Sequence, residues 1–355
     1  MSPAPLPPLL AFTQGDPAGV GPEILLKLFA VTPVPAPSAG AGVEAASPAY
    51  LPLLVAERAA LDALRPVLPA APWERLAFLD AAPGRRAVAE LAARGRLAVL
   101  DPVGEARPVV PGEPSAADAA GALAALDAGI ALAAAGVADA LVTAPVSKAQ
   151  IARHVLPGFV GHTDHLAAAC GLERYGRDYL MAFLAPDLQV ALLTVHLPLR
   201  QALERVTAEA IAEALACLQR HAGGRIAVAG LNPHAGEGGL LGNEDAEVVA
   251  PAVAAARERG IDAHGPESAD SLFARARSGE FDWVLALYHD QGLIPVKTAA
   301  FGLATNWTLG LPWLRTSVDH GTAFGIAGKG LADAGPMRAV VETTLGLLGG
   351  TLPRG

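Results

Sequence analysis

Cysteine is nearly absent: the 355 residues include two, Cys170 and Cys217. They stand far apart without metal-type spacing, so neither a disulfide framework nor a cysteine metal cluster is expected. Both read as small buried hydrophobes in a reducing compartment. Aromatic residues are scarce at 5%, and charged residues amount to 17%. Basic residues are the scarcer sign, 26 against 35 acidic ones, for a net charge of −9. That excludes nucleic-acid binding through a broad positive field and leaves only a local pocket for a small anion. Also lacking is the run of about 20 consecutive apolar residues that a membrane span needs. The longest uncharged stretch, residues 298–314, is broken by Thr305, Asn306, Thr308 and Pro312. Alanine accounts for the mean hydropathy of +0.37. Residues 1–8 carry neither a basic group nor an apolar core, so no secretory signal is expected, and the expected location is cytoplasmic.

What is present is apolar substance. Hydrophobic residues make up 52%, which rules out wholesale disorder, and the length suggests about two domains. Short apolar runs at 9–13, 51–55, 140–143, 189–195, 225–231 and 283–288 read as strands. Helical spacing predicts helices over 22–30, 56–64, 117–136, 208–221 and 243–259, with Ser115 opening the third. Residues 33–48, rich in Pro, Ala, Gly and Ser, read as a long surface loop. Strand and helix alternate, so the class is α/β, with a largely parallel sheet covered on both faces.

Three of the nine histidines share one context. His196, His234 and His289 each follow an apolar strand and lie close to Pro or Gly. Ligands of parallel sheets collect beyond that edge, and three imidazoles there suit a metal that keeps an open position for substrate. Their long separations give no local ligand signature, so hydrogen-bonded loop histidines remain an equal reading of the pattern alone. Asp270 and Asp290 are candidate supports, since a ligating imidazole gives its other N–H to a carboxylate or carbonyl. Farther on, Lys297, Asn306 and Arg315 stand in an almost uncharged stretch and suggest a grip on a specific anion. The loop from Gly15 to Gly21 meets neither the dinucleotide fingerprint nor the Walker pattern.

Together these segments resemble the 4-hydroxythreonine-4-phosphate dehydrogenase family of vitamin B6 synthesis. The motifs are GDPAGVGPE at 15–23, GHT at 161–163, TVHLP at 194–198, GLNPHAGEG at 230–238, YHDQG at 288–292 and TSVDHGTA at 316–323. The two ends are also similar to the isopropylmalate and isocitrate dehydrogenase group, in the first loop and in His320–Ala323 followed by AGKG at 327–330. The resemblance implies two α/β domains with a cleft between them and a nucleotide site that is not of Rossmann type. It implies a nucleotide-binding domain at 1–140 plus 305–355, and a metal, substrate and dimerisation domain at 141–304. His196, His234 and His289 become ligands of one divalent metal (Zn, Mg or Co). His162, Thr163, Lys297, Asn306 and Arg315 become substrate contacts. His320, Gly321, Thr322, Ala323 and Asp333 become contacts to NAD or NADP, and Asp270 a support. Asp290 and Lys148 are both open as the proton-transferring base. The family forms homodimers with active sites shared between subunits. Its substrate is a small phosphorylated hydroxy amino acid, oxidised and then decarboxylated; no nucleic acid or membrane partner is implied. Two departures stand out: the length of 33–48, and His165 where an apolar residue is expected, which opens a paralogue acting on D-threonate or D-erythronate 4-phosphate. A three-histidine hydrolase would leave 320–330 unused, and a non-catalytic phosphometabolite binder would leave the histidines unused.

Overall fold

The computed structural model describes residues 6–31 and 50–351; the expected loop at 33–48 lies outside the described residues. The chain divides into two compact units, the first from residues 1–166 and 312–350, the second from 167–311. The expected division lay at 140/141 and 304/305. The difference at the first boundary arises because the segment after β5 (named below) packs back onto the first unit.

In chain order the first unit runs β1 (Leu9–Thr13), α1 (Gly21–Val31), β2 (Leu51–Val55), α2 (Arg58–Asp62), β3 (Leu76–Leu79), α3 (Arg85–Ala93), β4 (Leu97–Leu100), α4 (Ala116–Ala134), β5 (Ala140–Thr143), α5 (Lys148–His154) and α6 (His162–Ala169). The second unit follows with β6 (Leu180–Ala185), β7 (Leu188–Leu192), α7 (Leu199–Glu204), α8 (Ala208–His221), β8 (Ile226–Ala229), α9 (Ala250–Glu258), β9 (Ala263–Glu267), α10 (Ala269–Arg277), β10 (Trp283–Ala286), α11 (His289–Ala299) and β11 (Thr305–Leu309). β12 (Leu314–Val318) and α12 (Gly335–Leu348) return to the first unit.

The strands of the first unit stand in the order β3-β4-β2-β1-β5-β12, all parallel. Every residue of β1, β2, β4 and β5 is buried, as parallel strands between helical layers require. Phe12, Ile24, Leu25 and Phe29 form part of the core beneath α1. α4 opens on a capping box, in which the Ser115 hydroxyl accepts from the Asp118 amide and the Asp118 carboxylate accepts from the Ser115 amide. At 19 residues α4 is long and apolar enough to cross a membrane by length and composition, although no run so long was expected to qualify. It carries Asp118 and Asp127 and packs Ala119, Ala122, Ala125 and Leu126 into the unit, against β1 and β5.

The second unit orders its strands β11-β6-β7-β10-β8-β9. The sheet is largely parallel, as expected, with one exception: β6 runs antiparallel to both β7 and β11. Pro186 and Asp187 alone connect β6 to β7, and a two-residue link permits only a hairpin, whereas parallel strands need a crossover of a dozen residues or more. The helix expected over 56–64 shortens to Arg58–Asp62, and the strands expected over 189–195, 225–231 and 283–288 end at Leu192, Ala229 and Ala286. Cys217 is buried as expected, but Cys170 is only half-buried.

Candidate functional site

In the second unit β7, β10 and β8 are adjacent and parallel, so their carboxyl ends share one edge. His196 lies four residues beyond β7, His234 five beyond β8, and His289 is the first residue of α11, three beyond β10. The rings of His196 and His289 are 5.5 Å apart between centroids. His289 Nδ1 lies 2.7 Å from Asp290 Oδ1. With the carboxylate accepting from Nδ1–H, the neutral ring keeps its lone pair on Nε2, the tautomer a metal ligand needs.

His234 follows β8, which lies across β10 from β7. Among the described residues no group of three or more His, Cys, Asp and Glu side chains is placed to hold a metal ion. β7 and β8 flank β10, a span of roughly 10 Å at the usual strand spacing. From there the chain turns through five consecutive left-handed residues, His234 to Gly238. That run is fixed from beneath by Asp245, which sequence reading missed. Its buried carboxylate accepts from the amides of Leu231 (2.7 Å) and Asn232 (2.9 Å) and from Asn232 Nδ2 (3.0 Å). Gln291, also missed, joins the ends of two strands: Leu287 N donates to its Oε1 at 2.7 Å and its Nε2 donates to Gly230 O at 2.8 Å. Asp245 stands in the first turn of an expected helix and Gln291 in the YHDQG motif, but their partners are set only by strand adjacency. Asp270 lies near His234: a hydrogen bond from Ser268, and then the His234 charge, hold its carboxyl below the usual range. His196 and His234 both have left-handed backbones, with φ of 45° and 52°. Such conformations cost non-glycine residues about 1–3 kcal/mol and concentrate at functional sites.

The first unit carries the second cluster. β1, β5 and β12 are adjacent and parallel, so the loops after Thr13, Thr143 and Val318 meet. Asp16 N donates to Pro145 O and Val20 N to Thr322 O, each at 2.9 Å. Gly15 has φ of 73°, and a Cβ there would lie 2.3 Å from Pro145 O, so only glycine fits. Arg315 on β12 is 1% exposed and donates through Nη2 to Thr143 Oγ1 at 2.7 Å; burial pushes its pKa down to about 9. His162 heads α6, with Thr163 buried beside it. Burial first, then the charges of Arg315 and Lys148, hold the His162 imidazole well below its usual pKa. Its Nε2 is buried without a hydrogen-bond partner among the described residues. The Lys148 stem crosses Gly161, where a Cβ would lie 2.8 Å from Lys148 Cε. A buried guanidinium, an ammonium and a neutral imidazole thus converge, a donor set suited to an anion.

The grouping of Arg315 with Lys297 and Asn306 changes accordingly. Arg315 meets His162 and Lys148 in the first unit, while Lys297 and Asn306 belong to the second. Lys297 lies two turns along α11 from His289, about 12 Å at the helical rise. Asn306 sits on β11, its Oδ1 buried without a hydrogen-bond partner among the described residues. His165 Nε2 lies 2.7 Å from Asp127 Oδ1, and its ring packs against Phe159. Residues 319–334 form no helix or strand. In that segment His320 Nδ1 lies 3.0 Å from Gly321 O, and Asp333 Oδ1 accepts from Gly335 N at 2.8 Å, which fixes the turn into α12.

Asp16 was not singled out from the sequence. It is 1% exposed; Oδ1 accepts from Ala18 N at 3.0 Å, and Oδ2 is buried without a partner among the described residues. Burial raises its pKa from 3.8 to about 6. The unfolded chain releases this proton near pH 3.8 and the folded chain near 6, so stability falls as pH rises through that window and stays lowered above it. Asp16→Asn is therefore expected to be more stable than the parent at pH 8, by up to about 3 kcal/mol, and equal to it near pH 4. Denaturant unfolding at both pH values checks this; lower stability of the variant at pH 8 contradicts it.

The family model for pyridoxal phosphate biosynthetic protein PdxA matches residues 51–344. The chain belongs to the PdxA family. PdxA relatives include 4-hydroxythreonine-4-phosphate dehydrogenase of Acidithiobacillus ferrooxidans, 44% identical over 343 residues, covering 94% of this chain and 95% of that one. The enzyme of the same name from Beijerinckia indica is 38% identical over 340 residues, covering 94% and 93%. Among solved structures, 4-hydroxythreonine-4-phosphate dehydrogenase from Klebsiella pneumoniae superposes with a TM-score of 0.77 at 34% identity, covering 95% of this chain and 98% of that one. A terephthalate 1,2-cis-dihydrodiol dehydrogenase from Burkholderia xenovorans gives 0.60 at 27% identity, covering 97% and 98%. This PdxA-family chain is thus a dehydrogenase related to vitamin B6 enzymes along almost its whole length.

Proposed function

We propose that the chain oxidises 4-(phosphooxy)-L-threonine with NAD or NADP to 2-amino-3-oxo-4-(phosphooxy)butanoate, which decarboxylates to 3-amino-2-oxopropyl phosphate on the route to pyridoxine 5′-phosphate. The observation that carries this reading is the pairing of His196 with His289 beyond adjoining strands, with Asp290 on the second imidazole, in a chain of this family. The donor set fits a divalent metal held by His196, His234 and His289, with Asp270 as support; imidazole favours Zn or Co over Mg. When bound, such an ion supplies Lewis acidity at the substrate hydroxyl and the oxygen derived from it.

The chain's own residues do the rest. Arg315, Lys148 and His162, with Thr163, receive the phosphate and so orient the carbon that bears the hydroxyl; Lys297 and Asn306 are proposed as further substrate contacts. Orientation of this kind is worth several powers of ten in effective molarity. That carbon loses a hydride to the nicotinamide, and its hydroxyl loses a proton. The resulting ketone stands β to the carboxylate, so the electron pair of the breaking C–C bond moves toward the carbonyl, carbon dioxide leaves, and the carbon takes up a proton. We assign these proton transfers to Lys148, because the Asp290 carboxylate is engaged by His289. His320, Gly321, Thr322, Ala323 and Asp333 are the proposed dinucleotide contacts. A Cβ built at Gly321 or Gly325 meets nothing within 4 Å, so that backbone is open to a ligand. We assign the nucleotide role to 1–140 plus 305–355, the metal and substrate role to 141–304, and a cytoplasmic location.

The position of His234 after β8, across β10 from β7, supports a homodimer in which the partner subunit's His234 completes each site. His234→Ala and His289→Ala chains are each expected to be inactive, but mixing them under subunit exchange restores activity. Recovery reaches at most about a quarter of the parent's, because random two-fold pairing makes half the dimers mixed, each with one intact site. Verified exchange without recovery contradicts sharing. A substrate panel tests the reaction itself. Nicotinamide reduction with 4-(phosphooxy)-L-threonine is the expected result; a higher kcat/KM for D-threonate or D-erythronate 4-phosphate would assign the chain to a paralogue, with His165 the first residue to examine.

A further inference from the structure

α1 holds the irregular segment 319–334 with two groups that the reading above leaves unused. Lys27 Nζ donates to Gly330 O at 2.8 Å and to Ala332 O at 2.6 Å, and pairs with Glu23 Oε1 at 2.9 Å. All three ammonium protons are thereby engaged. The same Glu23 oxygen accepts from Ala332 N at 2.9 Å. Glu23 is fully buried, and its neighbours Ile24, Leu25, Leu28 and Phe29 are core residues of the first unit. The clamp thus stands on a helix anchored by packing. The segment has no helix or strand of its own, and Gly328 and Gly330 turn it through left-handed conformations. Ile326 and Leu331 lie exposed on it. Its shape rests on bonds to the rest of the unit, among them this clamp and the Val20 N to Thr322 O bond, and on the burial of Ala327, Ala332 and Ala334.

We infer that Glu23 and Lys27 are positioning residues for dinucleotide binding: they hold 320–333 in its ligand-ready shape without touching the ligand. The inference rests on assigning 320–333 to the dinucleotide. A loop already ordered in the free protein is not charged for ordering when ligand arrives, so loosening it raises the dissociation constant.

The test uses the full-length protein carrying Lys27→Met, which keeps the aliphatic stem and removes the donors. A second variant, Glu23→Gln with Lys27→Met, avoids an unpaired buried carboxylate should the first fold poorly. NADH and NADPH binding are followed by fluorescence, inorganic phosphate binding by calorimetry, and cleavage after Lys329 by limited trypsin digestion. The expected result is a dissociation constant raised about tenfold or more for the dinucleotide, faster cleavage at Lys329, and unchanged phosphate affinity. Faster cleavage with unchanged dinucleotide affinity would overturn the inference, as would equal losses for dinucleotide and phosphate, which mark general damage to the fold. If the parent binds inorganic phosphate but neither dinucleotide, the dinucleotide assignment fails, and the inference with it.

Discussion

His289→Ala is expected to lower kcat/KM by roughly a thousandfold or more while leaving the fold intact. The loss follows from the several kcal/mol of charge stabilisation that a metal held by His289 would supply as the substrate hydroxyl loses its proton. The fold survives because the His289 side chain is 38% exposed and alanine suits the first turn of α11. His196 and His234 offer a sharper version of the same test. Both sit in the left-handed region, where glycine is at ease and histidine is strained. His196→Gly and His234→Gly are therefore expected to match or exceed the parent in stability while losing activity, a combination that a structural histidine does not produce. Steady-state kinetics, metal analysis and thermal unfolding of the three variants check the claim. Full activity of any of them after exhaustive chelation contradicts the metal site.

Arg315→Ala is expected to lower kcat/KM by about 30-fold to several thousandfold, the effect of losing one charge-assisted contact worth about 2–5 kcal/mol to a desolvated anion. Its burial and its bond to Thr143 give it little freedom, so a phosphate meets a donor that is already oriented. Lys148 and His162 adjoin it, and Lys148→Ala is expected to reduce turnover more than substrate affinity if it also moves protons. The control is a substrate analogue without the phosphate, on which the Arg315→Ala penalty should nearly vanish. Equal fractional losses on substrate and analogue would mean that Arg315 supports the strand β12 rather than the phosphate, an outcome measurable as lowered thermal stability.

Much of this was legible before any tertiary contact was known. Apolar runs bounded by Pro, Gly or polar residues marked β1, β2 and β5 to the residue, and Ser115 marked the start of α4, because capping and two-sided burial leave local signatures. Direction and extent were less legible. No strand was expected over 180–185, and a buried apolar run reads the same for either polarity, so both β6 and its reversed direction stayed hidden. The strands before the three histidines end earlier than their apolar character does, since the last apolar residues turn out of the ladder toward the site.

By itself the sequence determined the α/β class, the strands β1, β2, β5, β7, β8 and β10, and the placing of His196, His234 and His289 just after strands, because each rests on contacts within a few residues. Only the tertiary structure decided that β10 lies between β7 and β8, that His196 and His289 pair while Asp245 holds the chain just before His234, and that Arg315 finds His162 and Lys148. Those outcomes depend on pairing and burial between residues as distant as Thr143 and Arg315. The energy of such contacts depends on which strands become neighbours, a choice made by the whole core at once and written in no single stretch of chain.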